Sequence, residues 1–241
     1  MLNVYRRVQD LWRFAIVDNP SVSGGVVLHS GDQRASTQVT SANITRSISQ
    51  VSREQRHARN RHKGAVVWFT GLSGAGKTTI AREVYERLRR LGARVELLDG
   101  DEIRSVFPNT GFSRSERDAH VRRVGFLASR LERHGVTVIA SLVSPYRESR
   151  DFVRSLCERF VEIHVSTPLT ECERRDPKGL YRRARAGEIA QFTGIDDPYE
   201  RPESPELTID ARALAVDDAA GRVVDHLVNP FASVAAPPVR S

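Results

Sequence analysis

Residues 71–78 read Gly-Leu-Ser-Gly-Ala-Gly-Lys-Thr. They satisfy G-x-x-x-x-G-K-[ST] at every position, and no other stretch constrains the fold as tightly. The pattern cradles phosphate only where a strand runs into it and a helix runs out. Both neighbours fit: residues 65–70, AVVWFT, are an apolar β-prone run, and after Thr79 the residues Ile80, Val84 and Leu88 recur at helical spacing. Glycine at 71, 74 and 76 lets the backbone N–H groups from Gly71, Leu72, Ser73, Gly74, Ala75 and Gly76 through Lys77, Thr78 and Thr79 converge on phosphate oxygens at a helix N-terminus. Lys77 adds a point charge and the Thr78 hydroxyl can ligate Mg²⁺. The segment predicts a nucleoside triphosphate site.

Beyond Gly64, strand-like and helical runs alternate. Strands are expected at 65–70, 94–98, 136–142, 160–165 and 206–209, and helices at 78–91, 115–134, 146–158, 168–175 and 216–228. Such alternation gives a parallel sheet with ligands at the carboxyl ends of its strands. The expected fold is therefore an α/β P-loop NTPase, with a five-stranded parallel sheet and helices on both faces. Residues 176–204 are rich in charge, Gly and Pro and too long for an ordinary connector, so they are expected to form a mobile lid. The 241 residues accommodate one such domain, expected over 43–230, with an N-terminal extension at 1–42 and a flexible tail at 231–241. In the extension, 13–17 and 24–28 read as a short hairpin, too small to bury a core alone.

Composition narrows the functional class. No apolar run approaches the ~18 residues that cross a bilayer, and the first residues lack the pattern of a secretion signal. A cytoplasmic protein with no membrane partner is the default expectation. The net charge is +7, but residues 45–64 alone hold six Lys/Arg against one acid. That stretch reads as a solvated basic helix entering the first strand, and its lack of interleaved aromatics argues against nucleic acid. Cys157 and Cys172 show neither CxxC nor His spacing and read as packing residues.

Four further segments converge on one resemblance: LLDGDEIR at 97–104, GFS at 111–113, VSPYR at 143–147, and DPKGLY at 176–181 with FTGIDDPYE at 192–200. Together with the phosphate loop they resemble the adenylylsulfate kinase family, over about residues 43–227. The resemblance implies that ATP, with Mg²⁺, phosphorylates the 3′-hydroxyl of adenosine 5′-phosphosulfate to give PAPS, in sulfate activation, by a homodimer.

The resemblance also assigns residues. Asp99 and Asp101 end a strand at the carboxyl edge of the sheet, so one carboxylate can orient a Mg²⁺-bound water and the other can accept the hydroxyl proton. By its place in the DGD motif Asp101 is the expected base, and with Thr78 an expected metal contact. Arg104, Arg117 and Arg147 match arginines that hold the acceptor's anionic groups, where a planar fork suits phosphate. Phe112 and Phe192 match the aromatic pair that sandwiches adenine, and Lys178 matches a lid lysine that closes over phosphates. Ser144 falls at the serine assigned in the family as a phosphorylated intermediate. Direct in-line transfer needs no such group, and Ser144-Pro145 also reads as a helix start.

Two positions depart from the family pattern. His120 stands where an Asn normally touches the acceptor, and an imidazole cannot present an amide's donor and acceptor together. Glu102 replaces an Asn after DGD and brings negative charge near a polyanionic site. These two departures favour a kinase for another small acceptor as the alternative. A non-catalytic nucleotide-binding partner of ATP sulfurylase is a third reading, against which Lys77, Thr78, Asp99 and Asp101 are all retained. Residues 13–28 resemble the last strands of the barrel in the sulfate adenylyltransferase large subunit, and the resemblance implies an association with ATP sulfurylase subunits.

Overall fold

The computed structural model describes residues 51–60, 62–107 and 111–228. The expected hairpin at 13–28, its likeness to a sulfurylase barrel and the tail at 231–241 lie outside the described residues. The elements, in chain order, are α1 (Arg53–Asn60), β1 (Ala65–Thr70), α2 (Lys77–Arg90), β2 (Val95–Asp99), α3 (Gly100–Val106), α4 (Arg114–Glu132), β3 (Thr137–Ser141), α5 (Arg147–Leu156), β4 (Phe160–Val165), α6 (Leu169–Arg175), α7 (Leu180–Arg185), β5 (Leu207–Ile209) and α8 (Val216–Val228).

The strands form one parallel sheet in the order β2-β3-β1-β4-β5. Every residue of β1 is buried, which is why its sequence is continuously apolar rather than alternating. Val67 and Phe69 pack into a core with Ile80, Val84 and Val223 of α2 and α8. Val66 and Trp68 face the other way, into a core with Val121, Val124 and Val153 of α4 and α5. The crossovers from β1 and β3, neighbours in the sheet, therefore leave on opposite faces. The crevice above their carboxyl ends is the topological switch point where ligands bind in open α/β sheets.

The five strands and the long helices lie where the hydrophobic pattern puts them. Two short helices were not expected. The first, α3, starts at Gly100 because the Asp99 carboxylate caps it, accepting from the N–H groups of Asp101 (2.9 Å) and Glu102. The second, α7, follows Gly179 (φ 64°), and the Asp176 carboxylate accepts from the N–H groups of Tyr181 (3.1 Å) and Arg182 (3.0 Å). The 176–204 stretch, expected as one lid, thus divides into a helical part and a turn-rich part at 192–204. The reading of Ser144 as a helix cap is corrected, because α5 begins at Arg147 with Tyr146 in the capping position.

The basic helix expected before β1 is α1, and none of its residues is buried. Eight residues do not hold a helix in water unaided. Arg53 reaches the buried Glu132 (3.3 Å) and Glu158 (2.8 Å), and Asn60 donates to the carbonyl of His134 (2.7 Å). No helix among the described residues is long and apolar enough to cross a membrane.

Candidate active site

The phosphate loop needs glycine where other residues fail. Gly76 has φ 104°, and a Cβ at Gly71 (φ 148°) would lie 2.5 Å from the carbonyl oxygen of Val165. Ser73, Gly74, Gly76, Lys77, Thr78 and Thr79 line a cavity of about 460 Å³. Leu72 and Ala75 turn instead into the core with Ile80 and Ile163, so they shape the loop from behind. Lys77 Nζ donates to the carbonyl of Leu72 (2.7 Å), and burial pulls its pKa down to about 8. Thr78 Oγ1 stands 3.1 Å from Ser141 Oγ and 3.5 Å from Asp99 Oδ2.

Those oxygens suit Mg²⁺, a hard cation that is bound through one or two carboxylates and takes its other ligands from further oxygens, phosphates and water. Among the described residues no three His, Cys, Asp or Glu side chains group to hold a metal, so Thr78, Asp99 and Ser141 are the donors that fit. Asp101, expected as the second metal contact, lies further out, with 69% of its side chain exposed and an ion pair to Lys178 across the cavity mouth.

The rest of the cavity wall draws on α3, α4 and the turns from residue 192 onward. Arg104 donates to the carbonyl of Gly111 (2.6 Å), and its guanidinium lies 4.5 Å from the centroid of Phe112, an exposed ring. Phe192 packs edge-on against Tyr181, with centroids 5.0 Å apart. Phe112, Phe192, Arg104, Arg117 and Lys178 all line the cavity. Arg147 does not. It heads α5, where its N–H donates to Glu200 (2.7 Å), and its guanidinium pairs with Glu203 (2.6 Å) outside the lining.

His120 is buried, with Nε2 3.0 Å from the carbonyl of Gly100. A carbonyl only accepts, so Nε2 carries the proton and Nδ1 is left as a buried acceptor without a protein partner among the described residues. His120 therefore ties the first residue of α3 to α4. Ser144 is also buried and has φ 39°. Its hydroxyl donates to Thr70 Oγ1 (2.9 Å) and accepts from Trp68 Nε1 (3.1 Å). The buried Arg150 braces the same turn, donating to the carbonyls of Ser144 and Glu200 (2.7 Å each) while pairing with Glu162 (2.8 Å).

Sequence reasoning did not single out Ser141, Arg175 or Thr193, which also line the cavity. The only local signal for Ser141 was a polar residue closing an apolar strand. Cys172 is buried beneath the loop, and burial pushes its thiol upward.

Burial pulls both His120 and His164 down to about 4 from an ordinary 6.5. The unfolded chain therefore binds protons between pH 6.5 and 4 that the folded chain refuses. Each imidazole lowers stability as pH falls through that window, by about 1.4 kcal/mol per pH unit at most. His164→Gln is expected to flatten the acid limb measured by urea unfolding at pH 7 and pH 5; an unchanged difference between the two pH values would contradict the assignment.

A doubly covered parallel sheet, a phosphate loop at its switch point and two neighbouring aspartates lining the same cavity define a P-loop kinase. The family model for adenylylsulphate kinase matches residues 63–210. An adenylyl-sulfate kinase of a Picosynechococcus species is 52% identical over 167 residues, covering 69% of this chain and 94% of that protein. The solved structure of the Mycobacterium tuberculosis APS kinase CysC in complex with AMPPNP and APS superposes with a TM-score of 0.66 at 42% identity, covering 69% of this chain and 98% of that one. A hexameric APS kinase from Thiobacillus denitrificans is 37% identical with a TM-score of 0.55, covering 72% of this chain and 30% of that one. The chain belongs to the adenylylsulfate kinase family.

Proposed function

We propose that this chain transfers the γ-phosphoryl group of ATP to the 3′-hydroxyl of adenosine 5′-phosphosulfate, giving PAPS and ADP. The observation that supports this most directly is that one cavity carries the triphosphate loop on one side and Asp101, Arg104, Arg117, Phe112 and Phe192 on the other. The loop N–H groups and Lys77 hold the triphosphate, with Lys77 exchanging the Leu72 carbonyl for phosphate oxygens. Thr78, with Asp99 and Ser141, would hold a Mg²⁺ ion, which would supply charge neutralisation to the triphosphate. Phe112 and Phe192 take the two faces of the acceptor's adenine, and Arg104 and Arg117 meet its anionic end. As the 3′-oxygen bonds to the γ-phosphorus, its proton passes to the Asp101 carboxylate. The bond from that phosphorus to the bridging oxygen breaks, and ADP departs with the oxygen. Lys178 must release Asp101 for this, and the incoming phosphates are the natural new partner for its ammonium.

Transfer in this reading is direct. A nucleophile needs a free oxygen and a base to activate it, whereas the Ser144 hydroxyl is engaged on both sides. Ser144→Ala is expected to lower kcat by less than about tenfold, because it removes two supporting hydrogen bonds and no reacting group. Stable label on Ser144 that chases into product would overturn direct transfer.

Two unpaired cysteines, one of them buried in the core, support a reducing, cytoplasmic setting. The kinase domain is taken as residues 43–230, and assembly into oligomers is proposed from the relatives. The test is ADP release from Mg-ATP with and without adenosine 5′-phosphosulfate, with the product identified by mass. Acceptor-dependent release with a PAPS peak supports the reading. Release that needs a different alcohol would move it to another acceptor, which His120 in the cavity lining would then explain.

A further inference from the structure

Arg117 reaches the cavity from α4 already held by the 191–197 turn. Its Nη1 donates to Asp197 Oδ2 (3.1 Å) and to Thr193 Oγ1, and its Nη2 donates to the carbonyl of Gln191. A guanidinium carries five N–H donors. Three are engaged, leaving Nε–H and one N–H on Nη2 without a protein acceptor among the described residues. Two donors on neighbouring nitrogens of a planar group are what a bidentate oxyanion contact requires.

Asp197 is itself held firmly. Tyr146 donates its hydroxyl to both carboxylate oxygens (3.1 Å to Oδ1, 3.0 Å to Oδ2). Burial and that carboxylate push the phenol up to about 12, so it remains a donor throughout the neutral range. The backbone of the turn closes on itself, with the N–H of Gly194 donating to the carbonyl of Asp197 (2.7 Å) and three N–H groups converging on the carbonyl of Phe192. The side chains of Arg117 and Asp197 are only 9% and 12% exposed, which strengthens their attraction and makes its loss costly. The same turn carries Phe192 at one end and Asp197 at the other. It therefore sets an aromatic wall and a guanidinium relative to each other.

We propose that Asp197 is a positioning residue of the acceptor site: with Thr193 and the Gln191 carbonyl it orients Arg117, so that the two remaining N–H donors meet the acceptor's anionic group. This rests on the acceptor reading given above and deepens it. The test is steady-state kinetics of the full chain carrying Asp197→Asn, Arg117→Ala and both together, with each substrate varied in turn. Asp197→Asn is expected to raise the KM for adenosine 5′-phosphosulfate about tenfold or more, with the KM for ATP within about twofold of the parent. In the Arg117→Ala background the same change is expected to alter the acceptor KM by less than about twofold, because its effect runs through Arg117. Equal rises in both KM values, or effects that multiply fully in the double variant, would overturn the assignment.

Should Asp197→Asn fail to fold, Tyr146→Phe keeps the ion pair and removes only the hydroxyl's bonds to the carboxylate. An acceptor KM raised about threefold, and unaffected by the change once Arg117 is Ala, supports the proposal; an unchanged KM overturns it. A parent enzyme that does not turn over adenosine 5′-phosphosulfate would overturn the acceptor reading and this assignment with it. An active parent whose KM is untouched by Asp197→Asn would overturn this assignment alone.

Discussion

Asp101→Asn is expected to lower kcat by about 10²–10⁴-fold, the contribution of a positioned general base, while the KM for ATP stays within a few-fold. Asparagine keeps the shape of the carboxylate and its first-turn position in α3, and the cap at Asp99 is untouched, so folding is spared. The change removes the site for the departing proton and the partner of Lys178. Lys178→Ala removes the ion pair and the lid's phosphate contact and leaves the base, so a kcat loss larger in Asp101→Asn than in Lys178→Ala belongs to the base. A kcat unchanged in Asp101→Asn at saturating substrates would show that the proton leaves by another route, with Asp99 the next carboxylate to examine.

Lys77→Ala is expected to lower kcat/KM by about 10²–10³-fold, the magnitude found when one preorganised charge at a reacting oxygen is removed. Its ammonium is buried beneath the loop and tied to the Leu72 carbonyl, so it turns to phosphate without breaking an ion pair. Lys77→Arg is expected to restore little, because a planar fork does not fit a slot shaped around a point charge. Thermal midpoints measured beside the kinetics check that neither variant fails by unfolding. Parent-like turnover in Lys77→Ala would remove the loop from the chemistry.

The phosphate loop, its strand and its helix were legible because each is a local pattern: a continuous apolar run, three glycines and a 3.6-residue repeat. The features that escaped the sequence depend on side chains acting at a distance or in an unexpected role. The helix α3 was hidden inside an Asp-Gly pair that normally signals a turn, since nothing local says that the Asp99 side chain caps a helix beginning at Gly100. The helix α7 has four charged or aromatic residues out of six and little amphipathic repeat to announce it. Arg147 shows the converse difficulty: a motif places the residue correctly in the chain, but the direction of its guanidinium is set by Glu203, 56 positions later. Ser141 and Asp197 could not be ranked from sequence, because their partners Thr78 and Arg117 lie 63 and 80 residues away.

The tether between α1 and the body reaches past the edge of the family likeness. The family match starts at residue 63, yet Arg53 lies upstream of it and holds a Glu132 side chain that is only 1% exposed. Burial already pushes the Glu132 carboxyl upward and Arg53 works against that push. A fragment cut at residue 63 would lose that cation together with the contacts that His57 and Asn60 make to the carbonyls of Glu132 and His134. The contacts that brace the body therefore extend upstream of the matched residues, and cutting the chain at the edge of its likeness to relatives would remove α1 from the end of the sheet opposite the nucleotide loop.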